Sequence, residues 1–131
     1  MNNKKLLACD WIKFAEDDLE AAKVLMKSNP HLSGIIVFHA QQAAEKIIKA
    51  FLIHVEIPFG KIHDLNKLLS MIEIRPEFSA SLYDTIELFE KFAVEVRYPD
   101  GEVIPTFEEA IYAIASAEKV LNYFKTKINV K

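Results

Sequence analysis

Glycine and proline set the tightest limit on how this chain can fold. Eight of its 131 residues are helix breakers, and they fall in four clusters: Pro30 with Gly34, Pro58 with Gly60, Pro76 alone, and Pro99 with Gly101 and Pro105. In a helix interior Gly costs about 1 kcal/mol and Pro about 3 kcal/mol relative to Ala, so the clusters mark ends and the stretches between them are free to run as helix. Turn residues this scarce cannot supply the many reversals of a β-sandwich or barrel. With 51% of its residues hydrophobic, the chain is also too apolar to stay disordered.

Apolar periodicity within each stretch gives five helices. From about Asp10 to Ser28, Trp11, Phe14, Ala15, Leu19, Ala22, Leu25 and Met26 recur at three- and four-residue steps, with Asp10 as N-cap and Asn29-Pro30 as the stop. From about Ser33 to Glu56, one stripe runs Ile36, Ala40, Ala43, Ile47, Ala50 and His54, and a second runs Val37, Ala44, Ile48, Phe51 and Val55. Two stripes imply burial on more than one side, so this is expected to be the central helix. A short helix follows from about Asp64 to Ile74, with Asp64 at its N-cap. The fourth, about Ser79 to Arg97, spaces Leu82, Ile86, Phe89, Ala93 and Val96. The fifth, about Thr106 to Ile128, opens with Thr106 and Glu109 in capping-box register and is expected to bury Phe107, Ala110, Ile111, Ile114, Ala117, Leu121 and Phe124. The expected fold is all-α: one domain over residues 1–131, an up-and-down bundle of four longer helices with one short helix inserted, and frayed tails at 1–9 and 129–131.

Charge and cysteine content narrow the function classes. Residues 1–66 carry eight Lys and eight acids, and residues 67–131 carry eight basic and eleven acidic side chains, so neither half offers the basic surface that bulk nucleic-acid binding needs. No stretch approaches the roughly 18 consecutive apolar residues of a membrane span. Cys9 is the sole cysteine, which excludes an intrachain disulfide and a multi-thiolate metal site. The chain reads as cytoplasmic, with no membrane partner.

Of sixteen basic residues only Arg75 and Arg97 are Arg. Where Lys is the default cation, Arg97 beside Tyr98 and the Pro99-Asp100-Gly101 turn suggests a planar, bidentate donor for a phosphate, a carboxylate or a stacked base. An internal role is equally open, with Arg97 paired to Glu95, Asp100 or its own helix end. On the second helix Gln42, Glu45, Lys46 and Lys49 share one face, either as a solvated face with a Glu45–Lys49 pair or as polar groups that need partners within the bundle. His63-Asp64 opens the third helix, where the imidazole either takes an anion or orders the loop. His39 and His54 lie fifteen residues apart on one helix, about 22 Å by rise, too far to share a metal ion. No Gly-rich phosphate loop or Gly-x-Ser-x-Gly elbow is present. No cofactor or metal is therefore expected.

Four ordered motifs together resemble a known family. Trp11 with Ala15, Asp18, Leu19 and Ala22, then Phe38-His39-Ala40-Gln41-Gln42-Ala43-Ala44-Glu45-Lys46, His63-Asp64-Leu65 with Leu68, and Arg97-Tyr98-Pro99-Asp100 are similar to the HEPN domain of higher eukaryotes and prokaryotes. The resemblance covers nearly the whole chain. It implies a helical bundle of four or five helices, usually a homodimer, in small prokaryotic proteins often encoded beside a minimal nucleotidyltransferase and associated with nucleotide binding and toxin–antitoxin behaviour. Many members are metal-independent ribonucleases that carry an Arg followed four to six residues later by His. Arg97 stands at the Arg position, but residues 101 to 104 read Gly101, Glu102, Val103 and Ile104, and no His follows Arg97 anywhere. The expectation is a non-catalytic binding module using Arg97, Tyr98, Gln42, Lys46, His63 and Asp64. The alternatives are a degenerate ribonuclease in which Arg97 works with a non-standard acid or base such as His63, and a purely structural oligomerisation module.

Overall fold

The computed structural model describes residues 3–72, 80, 82–89 and 104–128. Among these residues the chain forms only helices: α1 (Asn3–Ser28), α2 (Ser33–His54), the short α3 (Leu65–Ser70), a helical stretch over residues 82–89 (α4) and α5 (Phe107–Ile128). The all-α bundle with one short inserted helix is what the breaker clusters predict.

α2 is the central element and packs against α1, α5 and α3. Its two stripes are buried as expected from Ile36 to Ile48, while His54 and Val55 at its end are exposed. Directions follow from the side-chain pairs. Lys4 meets Glu56 and Asp18 meets His39, so α1 and α2 run antiparallel. Glu16 meets Lys125 and Lys23 meets Glu118, so α5 also opposes α1. α2 and α5 therefore run the same way, and Phe51 packs against Phe124 near their shared C-terminal end, with ring centroids 5.2 Å apart and the rings tilted by 50°.

Helix–helix contact is made largely through alanine. Ala15 and Ala22 of α1, Ala40 and Ala43 of α2, and Ala110, Ala113 and Ala117 of α5 are fully buried. Small side chains let backbones approach closely, and Ile36, Ile47, Ile48, Leu52, Phe89 and Phe124 fill the space between the seams.

Four details differ from the sequence expectation. α1 begins at Asn3 and not at Asp10: residues 3–9, expected as a frayed tail, are its first two turns, and Ala8 is buried. Phe14 is 50% exposed and Ile12 takes the inward position, because the face toward α2 is set by Ala8, Ala15, Leu19 and Ala22. On α5, Phe107 and Ile111 are 49% and 45% exposed, since the alanine seam and Phe124 face inward and these two lie off that line. α3 is shorter than expected and ends at Ser70.

The helix ends follow local chemistry. The Thr106 backbone N–H donates to Glu109 Oε1 at 2.9 Å and the Glu109 N–H donates to Thr106 Oγ1 at 3.0 Å, a reciprocal capping box. α2 ends in a Schellman motif: the Ile57 N–H donates to the Leu52 carbonyl and the Glu56 N–H to the Ile53 carbonyl, with Glu56 at φ 63°.

Candidate functional site

α2 carries two polar clusters that face α1 and the α2–α3 loop. In the first, Asp18 of α1 receives Lys46 and contacts His39 Nδ1 at 3.0 Å. The Asp18 side chain is 14% exposed, and Lys46 and His39 are about a third exposed or less. Phe38 sets its ring edge-on to His39 and is itself exposed.

The second cluster is deeper. Lys49 Nζ donates to Glu45 Oε2 at 2.9 Å, and both side chains are about 95% buried. His63 Nδ1 lies 3.0 Å from the same carboxylate oxygen and 3.3 Å from Lys49 Nζ. The ammonium also sits 5.5 Å from the Trp11 ring centroid and 5.7 Å from that of Phe59, within cation–π range of both rings. A buried ammonium thus joins α1 through Trp11, α2 through Glu45 and the loop through Phe59 and His63. The His63 imidazole, 74% exposed, is the only exposed side chain of the three ionisable ones.

Asp64 has a local role. Its carboxylate accepts from the backbone N–H groups of Asn66 at 2.9 Å and Lys67 at 3.4 Å, which caps α3. The cap fixes the backbone immediately after His63 and thereby the direction from which the imidazole reaches Glu45.

The expected site residues are therefore distributed. Lys46 and Gln42 lie on α2 with Lys46 in the Asp18 cluster; His63 belongs to the Glu45 cluster; Asp64 is a helix cap. Arg97 and Tyr98 lie outside the described residues. The reading of Glu45–Lys49 as a solvated pair is corrected: the spacing is right, but Trp11 and Phe59 close over it and remove it from water. Sequence reasoning missed Asp18 and Trp11 as partners of α2 because their contacts depend on the register between α1 and α2. The odd placement of Asp18 beside Leu19 on the inward side of α1 was the available signal.

A groove of about 300 Å³ between α1 and α5 is lined by Val24, Met26, Ile111 and Ile114 with Glu20, Lys23 and Lys27. It opens on the face of α1 opposite Asp18 and includes none of the expected site residues. Among the described residues, no group of three or more His, Cys, Asp or Glu side chains could hold a metal ion, and no helix is long and apolar enough to cross a membrane.

Comparison with known proteins agrees with the motifs. A protein of Methanocaldococcus jannaschii named "Putative toxin MJ1304" is 34% identical over 135 residues, spanning 92% of this chain and 88% of that protein. The crystal structure of ST0689, an archaeal HEPN homologue, superposes with a TM-score of 0.72 at 27% identity, covering 93% of this chain and 98% of that one. The model of the HEPN domain matches residues 8–128, nearly the full length of the bundle. The chain belongs to the HEPN domain family.

Proposed function

We propose that this chain is a non-catalytic HEPN module of the toxin–antitoxin type, which binds a nucleotide or nucleotide-like phosphate as a homodimer and partners a minimal nucleotidyltransferase. The observation that carries the non-catalytic part is the sequence after Arg97, where the stretch Gly101-Glu102-Val103-Ile104, which spans the places in which a ribonuclease of this family holds His, contains none. Without that imidazole the site lacks an acid–base group worth roughly 10²- to 10⁴-fold in rate. The toxin-named relative, matched over 92% of the chain, supports the toxin–antitoxin setting.

In this reading Arg97 takes the phosphate with its two-pronged guanidinium and Tyr98 supplies an aromatic face. Gln42, Lys46 and His63 are the surrounding polar groups. Lys46 and His63 are each held by a carboxylate, Asp18 and Glu45 respectively, so they meet a ligand with their directions already set. Asp64 contributes by holding the His63 backbone.

A second reading is favoured by the Glu45–His63 contact. A buried carboxylate holding an exposed imidazole is the arrangement of an acid–base pair, and with Arg97 it would make a ribonuclease with a displaced histidine. Incubating the purified chain with RNA in excess chelator separates the two. The binding-module reading predicts that the RNA stays intact; cleavage lost in both Arg97→Ala and His63→Ala would establish the ribonuclease instead.

A further inference from the structure

Two nitrogens converge on one carboxylate oxygen. Lys49 Nζ and His63 Nδ1 lie 2.9 Å and 3.0 Å from Glu45 Oε2, and the two nitrogens are 3.3 Å apart. A neutral imidazole carries its proton on one nitrogen and a lone pair on the other. If Nδ1 were bare, its lone pair would face the carboxylate oxygen across its shorter contact. With Nδ1 protonated, the ring donates to the carboxylate, and the remaining repulsion falls on the longer contact with an ammonium that can turn its other hydrogens away. Glu45 is buried and already neutralised by Lys49, so it stays in place as the acceptor.

We propose that Glu45 fixes His63 as the Nδ1–H tautomer with Nε2 presented outward as an acceptor, and that His63 takes a neutral, ribose-type hydroxyl from the ligand and not its phosphate. The hydroxyl part rests on the reading that a nucleotide-like ligand binds beside His63. An outward lone pair backed by a buried carboxylate repels a phosphate oxygen and suits an O–H donor. Phosphate recognition is left to Arg97. Glu45 never meets the ligand, being 5% exposed beneath the ring, and acts as a positioning residue through His63.

Long-range proton–nitrogen NMR on the full ¹⁵N-labelled chain at about pH 8, where free histidine is neutral, reads the tautomer directly. The expected wild-type result is a His63 ring protonated on Nδ1, unlike exposed His31. In Glu45→Gln, which keeps the side-chain volume and removes the charge, the ring relaxes toward the Nε2–H form. A wild-type His63 protonated on Nε2 overturns the proposal whatever the variant does.

Titration with AMP, 2′,3′-dideoxy-AMP and inorganic phosphate then tests the ligand group. The expected results are a moved Nε2 resonance with AMP, about tenfold weaker binding of the dideoxy compound, and no Nε2 response to inorganic phosphate. Equal affinity for AMP and its dideoxy form overturns the hydroxyl assignment, and if AMP binding still depends on Arg97 the proposed function survives it. No binding of AMP to the wild type overturns both the hydroxyl assignment and the proposed function, while the tautomer result stands by itself.

Discussion

Taking an ammonium and a carboxylate out of water costs several kcal/mol per ion, and their attraction offsets this only where the remaining hydrogens and lone pairs also find partners. Glu45 meets that condition through His63, and Lys49 through the faces of Trp11 and Phe59. Replacing Lys49 with Met strips the buried Glu45 carboxylate of its ammonium partner and leaves it with the His63 contact, and is expected to lower unfolding free energy by about 3–5 kcal/mol in urea titration. The double variant Lys49→Met with Glu45→Leu should recover most of the loss; a single-variant loss under about 1 kcal/mol would show that water reaches the carboxylate. The i, i+4 spacing of this pair is legible in the sequence, but its burial is not, because the two rings that cover it come from α1 and from the loop. By contrast, the Asp64 cap and the Thr106–Glu109 box are legible, since both partners lie within three residues of each other.

Helix ends show the same division between local and tertiary causes. α2 stops two residues short of Glu56 in a Schellman motif that puts Glu56 at φ 63°, a conformation costing a non-glycine residue about 1–2 kcal/mol. The Glu56 side chain recovers a little through its exposed pair with Lys4. Glu56→Gly is therefore expected to raise stability by up to about 1 kcal/mol, after allowing for the greater freedom of glycine in the unfolded chain, and thermal unfolding measures it. A drop would mean that the Lys4 pair outweighs the backbone strain. Proline and glycine placement located α2 and its neighbours well. The faces were harder to read on α1 and α5, where Phe14, Phe107 and Ile111 look like core residues by size but alanine makes the contact. Periodicity shows that a helix has an apolar side; which of two adjacent stripes turns inward depends on how closely the partner helix must approach.

For the whole molecule, helix content and bundle architecture follow from where eight breakers fall, and the family follows from four ordered motifs between Trp11 and Asp100. The candidate site was only partly legible. Its α2 and loop residues were named from the sequence, but their sorting into an Asp18 cluster and a Glu45 cluster required the antiparallel register of α1 and α2. The proposed function gives Arg97 to a phosphate and not to catalysis or packing. Isothermal titration calorimetry of AMP into the wild type and into Arg97→Ala, with circular dichroism confirming that both are equally helical, tests it most directly. The expected result is an affinity at least about tenfold lower in the variant with unchanged thermal unfolding. Equal affinity in the two proteins, or a variant that no longer folds, would contradict it.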